Sequence, residues 1–385
     1  MDIIRVDGRF RLQEKLGDGS YGRLLLTGEL STQMLSFVDL GVVYRAQDLL
    51  SNKDVAIKLE PCSYSHRSSL EHEFSVLKKL EGGVGFPQPI WFGRESSYYA
   101  LALNVLGASL HHILASQGHQ FSLCDVLALG NQLISRLEFM HSRNYIHRDI
   151  KSTNILIGHG DSKNIAFLID FGIAKEFRDS ATRAHIPLRH NHPFIGTPAF
   201  ASINHHLGFE SGRRDDIESL AYTLIYLLRG SLPWFSQDTP SLSNDAILKL
   251  KQDIPAERLC CGIPLEFATL LLYSRSLKFA QKPDYGYLHS LLQNCAVPPT
   301  PITFVCLPHE SSPLPSEDVD KHPGESKKHS SLIKSTTTRE AEGCKSRRKT
   351  LRRLDNSMTQ PEESPTGLTP RRSGRIPHAR RAQRT

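Results

Sequence analysis

The 385-residue chain has no uninterrupted apolar run approaching the about 18 residues that cross a bilayer. Its opening, Met1-Asp2-Ile3-Ile4-Arg5, lacks the cationic start and apolar stretch of a secretory leader. A membrane or exported protein is therefore not expected, and a cytoplasmic and/or nuclear one is. Cysteine is sparse. The seven, at 62, 124, 260, 261, 295, 306 and 344, show neither zinc spacing nor a disulfide framework, and adjacent residues such as Cys260 and Cys261 rarely pair. Reduced thiols are the simple expectation. Net charge is also missing from most of the chain. Overall there are 47 Lys and Arg against 40 Asp and Glu, but from Pro308 onward the count is 17 basic to 10 acidic, which leaves 30 of each before it.

What is present centres on Tyr145-Ile146-His147-Arg148-Asp149-Ile150-Lys151-Ser152-Thr153-Asn154-Ile155-Leu156. An acid, a cation and a carboxamide (Asp149, Lys151, Asn154) lie close together between apolar flanks that would bury the neighbouring backbone. Further on, the run Ile165 to Ile169 breaks at Asp170-Phe171-Gly172, placing a second carboxylate at a strand end beside a permissive glycine. Together the two segments match H-R-D-x-K-x-x-N followed by D-F-G, the protein-kinase pattern. Phosphoryl transfer needs positioning and charge neutralisation more than covalent chemistry, which explains these residue types. Asp149 would accept or orient the proton of the acceptor hydroxyl, Asn154 and Asp170 would hold Mg²⁺, and Lys151 would steady the moving phosphate. A lysine at that place looks like a Ser/Thr rather than a Tyr kinase.

The remaining parts follow in order. Phe10 to Lys15 alternates like a half-buried strand and runs into Gly17-Asp18-Gly19-Ser20-Tyr21-Gly22. There Gly17, Gly19 and Gly22 would let backbone amides approach phosphates. The next strand, Val42-Val43-Tyr44-Arg45-Ala46, arrives only after Arg23 to Gly41, 19 residues that include Leu24-Leu25-Leu26 and Met34-Leu35-Ser36-Phe37-Val38. Two readings stand: an extension at the tip of the first hairpin, where extra length costs little loop entropy, or translated intron, since 19 codons are an in-frame length. An apolar, turn-poor composition favours the second. Val55-Ala56-Ile57-Lys58 ends a β-branched strand in a cation. A helix capped by Ser68 or Ser69 and running to Leu80 carries Glu73 on its apolar face, ready to pair with Lys58 and aim it at the α- and β-phosphates. Tyr98 to Val105 reads as the strand leading to the adenine hinge, with Leu103 as gatekeeper. Ser122-Leu123-Cys124-Asp125 caps a scaffold helix whose stripe is Val126, Leu129, Leu133, Leu137 and Met140.

The A-P-E that usually follows is absent. In its place stands Gly196-Thr197-Pro198-Ala199-Phe200-Ala201-Ser202-Ile203-Asn204, then Arg213-Arg214-Asp215-Asp216-Ile217-Glu218-Ser219-Leu220. These residues, with Lys58-Leu59-Glu60, Gly82-Gly83-Val84-Gly85, Gly230-Ser231-Leu232-Pro233-Trp234 and Lys282-Pro283-Asp284-Tyr285, resemble the casein kinase I family, over about Phe10 to Gln293 apart from the insert. The resemblance implies an α+β bilobal kinase fold, a β-rich small lobe with one main helix and a larger, mostly helical lobe. It implies ATP with Mg²⁺, protein Ser/Thr hydroxyls as acceptors, and a nucleotide site that includes Val43, Ala56, Leu103, Leu106 and Leu156. Two departures matter. Ala199 stands where the family has Arg, and Phe235-Ser236-Gln237-Asp238-Thr239-Pro240 stands where it has a cationic segment. Those cations bind primed substrates in the family, a job that needs Arg or Lys, so a primed or acidic preference does not carry over.

The expected boundaries are a kinase domain over 1–297, with the lobes meeting near 104/105 and the insert at 23–41, and a disordered tail over 298–385. Asp216 should open a central buried helix whose apolar part is Leu220 to Leu228, closed by Gly230. In the tail, Lys345 to Arg353 and Arg371 to Arg375 read either as weak nucleic-acid or import-receptor contacts or as solvated chain. His185, His190 and His192 read as solvated loop histidines rather than metal ligands, and His111-His112 as helix surface. A monomer is expected. The rival to an enzyme is a pseudokinase or scaffold in which the insert keeps the glycine turn from closing over ATP.

Overall fold

The computed structural model describes residues 5–18, 41–62, 68–95, 97–116, 120–236 and 242–295. Gly19, Gly22, residues 23–40 of the insert and the tail with its basic clusters lie outside the described residues. All the described residues fall within one compact unit, Met1–Glu310.

A six-stranded antiparallel sheet forms the first part: β1 (Arg5–Val6), β2 (Phe10–Asp18), β3 (Val42–Asp48) and β4 (Lys53–Pro61), then, after helix α1 (Ser69–Lys79), β5 (Pro89–Glu95) and β6 (Tyr98–Asn104), in the order β1-β2-β3-β4-β6-β5. Strand alternation sorts the side chains. Val55, Ile57, Leu59, Ala100 and Ala102 pack with Val6, Phe10 and Ala46 on one face, while Leu101 and Leu103 join α1 residues Leu70, Val76, Leu77 and Leu80 on the other. Ala56 and Lys58, alternating with the first set, therefore turn toward α1. Ser68 caps α1 by accepting from the Glu71 amide, and Leu80 closes it, at the ends the sequence indicates.

The second part is mainly helical: α2 (Leu110–Ser116), α3 (Leu123–Ser142), then the short strands β7 (Tyr145–Ile146), β8 (Ile155–Ile157), β9 (Ala166–Leu168) and β10 (Lys175–Glu176), and helices α4 (Ile203–His206), α5 (Arg213–Arg229), α6 (Asn244–Asp253), α7 (Ala256–Leu259), α8 (Leu265–Ser276) and α9 (Tyr285–Gln293). All five residues of the expected α3 stripe are buried, and Ser122 caps this helix at the Asp125 amide. Helix α5 is buried on nearly every side and ends at Gly230 with φ 73°. It starts earlier than its apolar run suggests, at Arg213, because the Asp215 carboxylate accepts from the Gly212 amide at 2.7 Å and satisfies the first turn. Among the described residues, no helix is long and apolar enough to cross a membrane.

Gly85 couples the two parts. Its carbonyl accepts from the Leu168 amide at 2.9 Å, tying the loop after α1 to β9. Its φ of +79° belongs to the left-handed region, and a Cβ there would run into the Arg136 guanidinium and the Ala166 carbonyl. Gly85→Ala should therefore lower stability by about 2 kcal/mol or more. Denaturant unfolding would measure it, and an unchanged midpoint would contradict the placement of this loop.

Candidate active site

The β8/β9 hairpin brings the two sequence motifs together. Leu156 pairs with Phe167, so the end of the loop 147–154 lies beside the start of Asp170-Phe171-Gly172. The Ile169 amide donates to the Asn154 carbonyl at 3.0 Å, which fixes the residue before Asp170 against Asn154. Both Arg148 and Asp170 adopt positive φ, 71° and 69°. Such backbone costs about 1–3 kcal/mol in a non-glycine residue and persists only where the surroundings hold it.

Several contacts hold it. Asp216 of α5, 1% exposed, accepts from the His147 amide at 2.8 Å and from the Arg148 amide at 2.9 Å. It also takes the His141 Nε2–H at 2.9 Å, while Tyr285 donates its hydroxyl to His141 Nδ1 at 2.6 Å. Burial opposes the Asp216 charge, but the His141 hydrogen bond, the nearby His147 and its amide together hold the carboxyl below its ordinary value. Burial keeps His141 neutral by lowering its pKa. His147 donates Nε2–H to the Ile169 carbonyl at 3.0 Å and accepts the Asp149 amide on Nδ1 at 3.3 Å.

Asp149 is held from three directions. Its Oδ1 accepts from the Thr197 amide at 3.0 Å, and its Oδ2 accepts from Asn154 Nδ2 at 3.0 Å and lies 2.8 Å from Lys151 Nζ. Lys151 also donates to Thr197 Oγ1 at 2.7 Å. Gly196, with φ 96°, leaves room for this approach, since a Cβ would press on the Arg148 carbonyl and the Asp149 carboxylate.

On the sheet side, Lys58 Nζ lies 2.7 and 2.8 Å from the two Glu73 oxygens, and Glu73 is 2% exposed. Burial works against the Lys58 charge, yet Glu73 and Asp170 hold its pKa above the ordinary value, so it stays an ammonium at neutral pH. Phe171 is buried, with its ring 5.1 Å from His147 and 6.0 Å from Phe86, and its amide bonds Glu73. His72 on α1 donates to the Ala174 carbonyl at 2.7 Å. Helix α1 is thus fastened to the segment that follows Asp170, at Phe171 and at Ala174.

Register aligns most of the predicted nucleotide residues. Gly17 pairs with Val43, Val43 with Lys58, and Ala56 with Leu103, so they share one face across β2, β3, β4 and β6. Leu106 precedes Gly107, whose amide donates to the Ile157 carbonyl at 2.7 Å, and Ser109 bridges Leu156. The hinge therefore lies against β8. Gly19 and Gly22 fall outside the described residues. The ladder nevertheless continues to Asp18 opposite Val42, so residues 19–41 join two directly paired strand ends.

The activation-segment histidines lie at the surface, His190 exposed and His185 and His192 half-buried, but each also meets a neighbour. His185 packs against Phe177 and Phe279 with ring centroids 5.3 and 4.7 Å away, His190 meets Phe209 edge-on at 4.8 Å, and His192 meets Glu210 at 2.9 Å. Each is recruited by a different neighbour, and among the described residues no three His, Cys, Asp or Glu side chains gather to hold a metal. Sequence reasoning also missed the work of Asp216, Thr197 and His141. The first two stand inside quoted motifs, but only the fold brings them to the loop.

The family model for the protein kinase domain matches residues 39–277. That span of 239 residues is more than half of the 385, and the chain belongs to this family. The match begins near the end of the insert and covers Lys58, Glu73, the catalytic loop and Asp170. Membership implies ATP as phosphoryl donor and protein as acceptor. The donor set suits a bound cation and phosphates. Asp170 and the Asn154 amide oxygen are hard oxygen donors of the kind Mg²⁺ takes, and Lys58 lies near enough to Asp170 to feel its charge.

Glu73→Gln keeps the shape of the pair and removes its charge. It should raise the KM for ATP and lower kcat/KM about tenfold, close to 1.4 kcal/mol of transition-state stabilisation. Steady-state kinetics would check this, and unaltered ATP dependence would show that Lys58 needs no carboxylate partner.

Proposed function

We propose that the chain is a serine/threonine protein kinase of the casein kinase I type, transferring the γ-phosphate of ATP to protein hydroxyls. The observation that carries this reading is the fixation of Asp149 by Thr197, Asn154 and Lys151, with Lys151 shared between Asp149 and Thr197. An acceptor hydroxyl placed against the Asp149 carboxylate would be oriented for in-line attack and would lose its proton to it. Lys151, within reach of the same carboxylate, would steady the transferring phosphate. Lys58, held by Glu73, would grip the α- and β-phosphates. Asn154 and Asp170 would hold Mg²⁺, which when bound supplies neutralisation of phosphate charge. Val43, Ala56, Leu103, Leu106 and Leu156 would enclose the adenine.

The casein kinase I assignment is supported by how Ser202-Ile203-Asn204 is seated. Ser202 accepts from the His205 amide and donates to Asp215, and the Ile203 amide donates to Glu218 at 3.1 Å. The segment that replaces A-P-E is thereby fastened to α5. Ala199 is buried, and its carbonyl accepts from Trp234 Nε1 at 2.8 Å, so this position supplies no cation for a primed substrate. The insert favours a second reading, a catalytically impaired scaffold, because 23 residues join strand ends that a four-residue glycine turn would otherwise connect.

Transfer of labelled phosphate from ATP to casein, followed by phosphoamino-acid analysis, tests both. The full chain should label serine and threonine, and Asp149→Asn should lower the rate about 10²- to 10⁴-fold. Labelling only by a version lacking Arg23 to Gly41 would make the insert inactivating. No labelling by either version would favour the scaffold.

A further inference from the structure

Lys251 on α6 is fully buried, with 0% of its surface exposed. An ammonium carries three N–H donors and a high desolvation cost unless each is satisfied. Here Nζ donates to the Pro198 carbonyl at 2.7 Å and the Ala201 carbonyl at 2.6 Å, and lies 3.2 Å from His206 Nε2. The Tyr222 and Trp234 rings face the same nitrogen at 4.8 and 5.4 Å. Burial pulls the Lys251 pKa down to about 7, with Glu218 on α5 opposing the fall and Arg275 on α8 assisting it. His206, which lies beside it on α4, is depressed by burial to about 4, and its Nε2 also bonds the Pro198 carbonyl at 3.0 Å, so the ring and Lys251 converge on the same carbonyl. An amine buried among carbonyls, charged or neutral, supplies hydrogen bonds that an apolar side chain could not.

What it holds is the turn that touches the catalytic loop. The Phe200 and Ala201 amides both donate to the Thr197 carbonyl at 3.1 Å, which makes 197–201 one hydrogen-bonded unit. Lys251 grips it at Pro198 and at its far end, Ala201, and Trp234 grips Ala199 between them. The near end is Thr197, whose amide reaches Asp149 and whose hydroxyl receives Lys151. We propose that Lys251 is a positioning residue for phosphoryl transfer: by anchoring the 197–201 turn to the helical core it sets Thr197, and through it Asp149 and Lys151, in place. This rests on the kinase reading of Asp149. It adds a determinant about 100 residues beyond the catalytic loop, on an element outside the motifs that carry the chemistry.

The test uses the full chain with Lys251→Met, which keeps the length of the side chain and removes its donors, and Lys251→Gln, which restores two. Amide hydrogen exchange over 196–202 reads the anchor without reference to activity, and kcat with casein and KM for ATP read its consequence. In Lys251→Met, exchange at the Thr197, Phe200 and Ala201 amides should rise at least about tenfold while α5 stays protected. The kcat should fall about tenfold to hundredfold, the scale of a roughly 1 Å misplacement, with KM for ATP changed by less than about twofold. Lys251→Gln should recover part of both. Unchanged exchange at the turn would overturn the proposal, as would a loss of kcat accompanied by loosening of α5 and a matching change in KM for ATP. If the turn loosens in Lys251→Met while the unsubstituted chain transfers no phosphate, the anchoring stands and the kinase reading is what fails.

Discussion

A single buried carboxylate, Asp216, sets the backbone on which the site is built. Two consecutive amides, those of His147 and Arg148, point at its two oxygens, and His141 completes the set. Without that acceptor two buried N–H groups would go unpaired, each costing about 1–3 kcal/mol. Arg148 would also lose what stabilises its positive φ. The strain at Arg148 is thus balanced by a helix whose apolar surface is packed on nearly every side, and the loop inherits the rigidity of α5. Asp149 follows next in the chain, so its direction is decided before any nucleotide or acceptor arrives.

Around this fixed loop the molecule assembles three supports from different distances along the chain. From the sheet, strand alternation and α1 bring Lys58 and Glu73 together, and the pair lies beside Asp170 because Phe171 packs under α1. From the β8/β9 hairpin, Asn154 and Asp170 arrive as neighbours. From the activation segment, Thr197 closes on Asp149. Lys58 is compensated by Glu73, and Asp149 by Lys151 and the Thr197 amide, which is what lets carboxylates and ammonium groups sit so close in a partly buried site.

Much of this was legible in the sequence because the chemistry is concentrated in short motifs. Asp149, Lys151, Asn154 and Asp170 fall within two segments, and Lys58 and Glu73 could be paired from a strand that ends in a cation and a helix with an acid on its apolar face. Gly85, by contrast, belonged to a motif that says nothing about Ala166 or Leu168. Asp216 was expected to open a buried helix, but its hold on the loop was not readable, since the amides it receives lie about 70 residues upstream. Lys251 occupied an ordinary amphipathic helix, where a lysine is normally surface, and periodicity cannot foretell an ammonium turned inward onto carbonyls. The neighbours of the loop histidines were hidden for a related reason: Phe177, Phe209, Phe279 and Glu210 come to them only through the fold. Local chemistry was readable, and long-range hydrogen bonding was not.

The central claim is that the catalytic loop is held in working order by Asp216 rather than by the substrate. Asp216→Asn keeps the size of the side chain but replaces one acceptor oxygen with a donor facing an amide. The expected result is a folded protein that binds Mg·ATP within about threefold of the original, measured by calorimetry, yet transfers phosphate about a hundredfold more slowly. Transfer within a few-fold of the unsubstituted rate, with ATP binding intact, would mean that the loop finds its geometry without this carboxylate and that Asp216 is not what the site is built on.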